Sequence, residues 1–417
     1  MKRIFIQIAS YRDPELIPTI KSILDNSKYP ENLVFSISRQ YHPEDKFDDL
    51  SEYEDDDRFK ILNIPHEESL GVCWARNLTQ QLYDGEEYTL QIDSHMRFVK
   101  DWDEILINMV TDLQKKGHEK PLISSYVPSY NPENDPEERI QVPWRMVFDR
   151  FIPEGAVFFL PEVIPDWETL DGPVPSRFYS AHFTFTLGQF CLEVQHDPLL
   201  YFHGEEISIS VRSFTHGYDL FHPHVLVCFH EYTRKGRTKQ WDDDKLWYKK
   251  NDSSHLRNRK LFSMDGEKYN EEEFGMYGFG NVRTLRDYEK YSGILFSDRS
   301  VQSYTQMKEY PPNPYNYESE DEWLDSFNTV FKYCIDLKRD LVVEPDYDFW
   351  VVAFHDKYDQ TLYRKDATKQ EINSCMNSNQ DTLHIWREYN TNKKPHYWVV
   401  WPHSMSKGWC DRITGKL

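Results

Sequence analysis

The alternation of the first 115 residues constrains this chain most. Residues 3–9 (RIFIQIA) form a largely apolar, strand-like run, followed by the turn SYRDPE. LIPTIKSILDN then carries apolar side chains at Leu16, Ile20, Ile23 and Leu24, the spacing of one helix face. Strand-like runs return at 33–38, 59–64 and 88–92, with helical patterns over 71–83 and 102–115 between and after them. This rhythm predicts an α/β fold, a mostly parallel sheet with helices on both faces. Such sheets bind ligands at the carboxyl ends of their strands. Ser10–Asp13 and Asp93 both fall at such ends, so one cleft can hold both.

Beyond residue 115 the pattern loosens. Proline is dense between 152 and 177, where loops are expected. HFTFTLGQFCLEV (182–194) reads as one or more central strands and VLVCFH (225–230) as another. Helices are expected within 199–215, 245–260 and 283–291. KEYPPNPYNYESEDE (308–322) lacks periodicity and reads as a linker. The expected organisation is therefore a domain over 1–307, the linker, and a small mostly β domain over 323–417 of unassigned role. The aromatic run around Trp350 reads there as core.

Charge and cysteine content narrow the function. The net charge is −21, and no long basic run offers the phosphate-neutralising face of a duplex binder, so nucleic acid is disfavoured as a partner. The acidic stretch EDKFDDLSEYEDDD (44–57) reads as a solvated loop. The six cysteines form no CxxC pair and no zinc spacing. They read as reduced thiols of a cytoplasmic protein. No apolar stretch approaches the roughly 20 residues of a membrane span.

Two constellations carry chemistry. The strand YTLQI stops on Asp93-Ser94-His95. Alternate residues of an extended segment face one way, so carboxylate and imidazole can converge on one ion. That donor pair suits Mn²⁺ better than Mg²⁺; the bland alternative is a polar turn. Further on, Gly204 precedes Glu205 and Glu206, Arg212 follows, and a later strand ends on His230. Paired carboxylates after a glycine can hold a sugar hydroxyl or position a nucleophile, or can simply favour a helix dipole. GMYGFGN (275–281) reads equally as a lid or as a surface loop.

The segments IFIQIASYRDPELIPTI, GVCWARN, LQIDSHMRF, FHGEEISISVR and GNVRTLRDYEKYSGI together resemble a GT-A glycosyltransferase. The order of DxH, GEE and a later histidine is similar to polypeptide N-acetylgalactosaminyltransferases. The set more closely resembles the polypeptide α-N-acetylglucosaminyltransferases that modify hydroxyproline on a cytoplasmic protein. The resemblance implies a GT-A fold, a Rossmann-like mixed sheet flanked by helices. It implies retaining, metal-dependent transfer of N-acetylglucosamine from UDP-GlcNAc to a hydroxyl on a protein or glycan. By this resemblance Asp93, His95 and His230 are the metal ligands. Ser10, Tyr11, Arg12, Arg76, Asp93 and Ser94 receive the nucleotide sugar, and Glu205 and Glu206 form the pair that contacts the donor sugar. A transferase acting on modified DNA bases and a non-catalytic sugar-binding protein are the alternatives.

Overall fold

The computed structural model describes residues 2–378, 380–391 and 393–417. The chain divides into two compact units: residues 1–297 with 304–316, and 298–303 with 317–417.

The first unit is built on an eight-stranded mixed sheet. Its strands are β1 (Ile4–Tyr11), β2 (Leu33–Tyr41), β3 (Phe59–Pro65), β4 (Tyr88–Asp93), β6 (Pro121–Ser124), β9 (Val174–Pro175), β10 (Phe183–Leu187) and β11 (Asp219–His222). Two small antiparallel ribbons complete it, β5 (Met96–Phe98) with β12 (Cys228–His230), and β7 (Trp144–Phe151) with β8 (Val157–Val163). The sheet order is β3-β2-β1-β4-β10-β6-β11-β9. β3, β2, β1 and β4 are parallel, whereas β10 runs antiparallel to both its neighbours. The sheet is therefore mixed, as expected for a GT-A fold.

Helix α1 (Leu16–Asn26) is the crossover between the paired parallel strands β1 and β2, while α2 (Val72–Gln80) and α3 (Trp102–Lys115) join β3 to β4 and β5 to β6. Ile20 and Ile23 of α1 and Leu106 and Val110 of α3 pack against Ile6, Ile8, Leu90 and Ile92 of the sheet in one core. Pairing sets Ala9 beside Asp93 and Tyr11 beside Gln40, so β1, β2 and β4 end at a common edge.

Several expectations shift. β1 runs two residues past Ala9. The run 182–194 is strand only to Leu187; Phe190–Glu193 then forms α4, a short helix. Gly188 marks the break, because a Cβ there would lie 1.9 Å from the Glu86 carbonyl. Only Cys228–His230 of the run 225–230 is strand. The acidic stretch is more than a solvated loop. Asp48 is buried on Arg39 at 2.8 Å and Asp45 holds Arg12.

In the second unit, strands Phe327–Lys338 and Thr382–Thr391 pair antiparallel, and Tyr347–His355 pairs with Tyr397–Ser404. Trp350 is fully buried in that unit's core, with Ile335, Leu337, Leu383 and Ile385. Among the described residues no helix is long and apolar enough to cross a membrane.

Candidate active site

The site forms where β4 ends. Asp93 is the last residue of β4, and Ser94-His95 is the whole connection to β5. β5 pairs with β12 so that Met96 faces His230. That short ladder brings His230 beside His95 across 135 residues of chain, with ring centroids 4.7 Å apart. His230 Nε2 lies 3.4 Å and His95 Nε2 3.6 Å from Asp93 Oδ2. One donor atom from each residue falls within 4.8 Å of the others.

The state of these donors suits a divalent cation. Burial lowers the His230 imidazole to about 4, leaving it neutral near pH 7. Burial opposes ionisation of Asp93, but His230, Arg76 and His95 hold its carboxyl well below the usual range. The other nitrogen of His95, Nδ1, lies 2.8 Å from Asp13 Oδ2. A carboxylate behind a ligating histidine fixes its tautomer and ring orientation. Burial works against Asp13 too, yet His95 and Arg237 keep it at about 2. Ser94 is buried and donates to the same Asp13 oxygen at 2.7 Å. Ser94 therefore braces the turn.

Arg76 joins the cluster from α2. Its guanidinium donates to Asp93 Oδ1 at 2.8 Å and stands 3.8 Å from Glu205. The side chain is buried, and its Nε and Nη1 have no hydrogen-bond partner. A guanidinium lining a cleft is suited to phosphate oxygens.

Glu205 and Glu206 open helix α5 (Glu205–Thr215) behind Gly204, whose φ of +100° favours glycine. They are not equivalent. Glu206 accepts from the Ala181 amide at 3.0 Å and from Tyr126 Oη at 2.8 Å, using both oxygens. Glu205 turns toward Arg76. Burial and their mutual repulsion raise Glu205, and burial raises Glu206. Arg212 lies in the core and donates to the carbonyls of Gly278 and Met276, both at 3.2 Å. GMYGFGN is thereby fastened to α5, and its residues line neither cleft described next.

Two clefts meet at the cluster. One, of about 870 Å³, is lined by Tyr11, Gln40, Gly71, Arg76, Asp93 and Trp241 among others. The second, of about 970 Å³, is lined by Tyr126, Phe158, Glu205, Glu206 and Tyr232 among others. Arg76, Asp93, Phe202, His230 and Arg234 border both.

Two predicted nucleotide residues stand apart. Ser10 is buried, with an unpartnered hydroxyl, and lies outside both linings. Arg12 also lies outside, occupied by Asp45 at 2.7 Å and Asp243 at 3.0 Å. Tyr11 does line the first cleft, donating to Asp243 at 2.8 Å.

Sequence reasoning placed Asp13 at the cleft without a role, and missed Gln40 and the loop after His230. That loop, EYTRKGRTK, carries Arg234, Lys235, Arg237 and Lys239. Carboxylates hold three of these: Glu133 for Lys235, Asp13 and Glu231 for Arg237, Asp242 for Lys239. Arg234 instead stacks over Phe202 and Trp241, 5.6 and 5.4 Å from their ring centroids. The loop's local excess of basic residues in an acidic chain was the available signal.

The family model described as glycosyltransferase (GlcNAc) matches residues 3–63 and 48–298. No curated protein sequence matches the chain. Among solved structures, GalNAc-T7 with UDP, GalNAc and Mn²⁺ is similar at a TM-score of 0.52 and 11% identity, covering 99% of this chain and 68% of the other. This likeness is one of fold. S. aureus TarS 1–349 aligns at a TM-score of 0.37 and 10% identity, over 63% of this chain and 72% of that one. TarS with UDP-GlcNAc aligns at 0.36 and 11%, over 58% and 61%.

Proposed function

This chain belongs to the GlcNAc glycosyltransferase family, and on that premise we propose that it moves N-acetylglucosamine from UDP-GlcNAc to a hydroxyl acceptor on a protein or glycan, a hydroxyproline-bearing protein first among them. The observation that carries this reading is the convergence of Asp93, His95, His230 and Arg76 where two clefts meet. One cleft then takes the nucleotide and the other the sugar and its acceptor.

Asp93, His95 and His230 would hold a divalent cation, Mn²⁺ by donor type. When bound, such an ion supplies Lewis acidity for the charge that develops on a departing diphosphate. The chain's own part is positioning and electrostatics. Arg76 has donors free for diphosphate oxygens. Arg234, held over Phe202 and Trp241, offers a second cation at the rim of both clefts. Tyr11 belongs with the nucleotide. Ser94 lines the first cleft and also braces the turn through Asp13.

Of the acidic pair, Glu205 is the one whose carboxylate is open to the sugar, since Glu206 already serves Ala181 and Tyr126. A carboxylate among aromatic rings is suited to sugar hydroxyls. Retention of anomeric configuration is part of the proposal, by family resemblance. The six unpaired thiols support a reducing compartment such as the cytoplasm.

A screen of nucleotide sugars, read by UDP release with and without Mn²⁺, tests the reading. UDP-GlcNAc should be turned over, only with metal, and Asp93→Ala should abolish turnover. Metal-independent activity in that variant would sink the metal assignment, and preference for another donor would sink the sugar assignment.

A further inference from the structure

We propose that the β-rich unit carries a second metal centre, in which Cys334 Sγ, a carboxylate oxygen of Asp336 and His384 Nδ1 bind one Zn²⁺-type cation.

The register makes the cluster. Strands Phe327–Lys338 and Thr382–Thr391 pair antiparallel with Cys334 opposite Trp386 and Asp336 opposite His384. Side chains alternate across a strand, so Ile335, Leu337, Leu383 and Ile385 enter the core. Cys334, Asp336 and His384 thus share the outer face. Cys334 is half-buried there, and the other two are exposed.

The distances describe a ligand triangle. Cys334 Sγ is 3.6 Å from Asp336 Oδ1 and 3.6 Å from His384 Nδ1, and the oxygen and nitrogen are 2.8 Å apart. A tetrahedral zinc with bonds of about 2.3 Å to sulfur and about 2.0 Å to nitrogen and oxygen has sulfur edges near 3.5 Å and an N···O edge near 3.3 Å. Both sulfur edges already match; the Asp–His edge must open by about half an ångström. The same nitrogen, Nδ1, faces both thiol and carboxylate. A catalytic relay would place them on opposite nitrogens of the ring. The geometry therefore suits chelation rather than a nucleophilic triad.

Donor type separates this cluster from the one at Asp93. A thiolate selects a softer cation than a carboxylate with two imidazoles. Three protein ligands leave a tetrahedral ion one open position, for water or an external donor. Cys334 and Asp336 are two residues apart, but His384 lies 48 residues beyond Asp336, which is why no spacing motif announced the set.

Cobalt(II) tests the proposal on the reduced full-length protein, because only a thiolate ligand gives a sulfur-to-cobalt charge-transfer band. The band should appear on titration and vanish in Cys334→Ser and in His384→Ala. It should persist in Asp93→Ala, which alters only the other cluster. A band that survives Cys334→Ser, or none at all in the parent protein, overturns the proposal. A second readout needs no substitution. With Zn²⁺ at ten times its dissociation constant the free fraction of the site falls about tenfold, and alkylation of Cys334, read by peptide mass spectrometry, should slow by the same factor. An unchanged rate also overturns it.

Discussion

Asp13 holds His95 from behind: its Oδ2 lies 2.8 Å from His95 Nδ1, and the ring's other nitrogen faces Asp93 at 3.6 Å. Asp13→Asn keeps an acceptor but removes the charge and lets the amide turn its nitrogen to the ring. Loss of such a supporting carboxylate costs about 10–100-fold in metal affinity or activity. The Mn²⁺ dependence of UDP release should therefore shift to higher concentration by that factor. An unshifted curve would mean that His95 is oriented by something else.

Arg76 gives a test of stability as well as activity. It is buried between Asp93 and Glu205, at 2.8 and 3.8 Å. Arg76→Ala strands the buried Glu205 and the half-buried Asp93, and breaking a buried pair costs up to about 3–5 kcal/mol. A fall in unfolding free energy of that size, read as a lower denaturant midpoint, is expected, with turnover lost. Arg76→Lys should retain more stability than Arg76→Ala but still lose most turnover, because a point charge cannot supply a planar fork of donors. Equal activity of the lysine variant would count against contact with the diphosphate.

The fold was legible because it rests on local pattern. The apolar runs that became β1, β2, β3 and β4, and the helical spacing of α1 and α3, are each written within a dozen or so residues. The antiparallel β10 was not, since strand direction is set by a partner far away in sequence. The candidate site was half legible. Asp93 and His95 sit together in sequence, whereas Asp13 and Arg234 gain meaning only through ring contacts and ion pairs made in three dimensions. Arg12 shows the same dependence: only the folded chain pairs it with Asp45 and Asp243.

Gly71 tests the start of α2. Its φ is +117°, and an added Cβ would stand 2.7 Å from the Tyr201 ring and 3.0 Å from the Tyr201 carbonyl. Gly71→Ala combines a left-handed strain of about 1–3 kcal/mol with a clash that displaces Tyr201 or the helix carrying Arg76. Thermal stability should fall, and the KM for the donor should rise, because Gly71 and Tyr201 both line the first cleft. A drop in stability with unchanged KM would confine Gly71 to a structural role.

Glu205 and Glu206 should separate in mutation and titrate together. Glu205→Gln should lower kcat with little loss of stability, since its carboxyl does not bridge two elements as that of Glu206 does. Glu206→Gln should destabilise by about 1–3 kcal/mol, because an amide offers one acceptor oxygen to two donors, Ala181 N–H and Tyr126 O–H. Both carboxyls are raised above the ordinary glutamate value of 4.5, burial being the largest cause. A folded-state pKa above the unfolded one means that the native state binds more protons across that interval. Stability of the metal-free protein therefore falls as pH rises from the ordinary glutamate range through about 8, then levels off once the folded state has released its protons. Thermal melts over that interval should show this slope, and the double variant Glu205→Gln/Glu206→Gln should flatten it. A slope of the same size in the double variant would mean that other groups set the pH response.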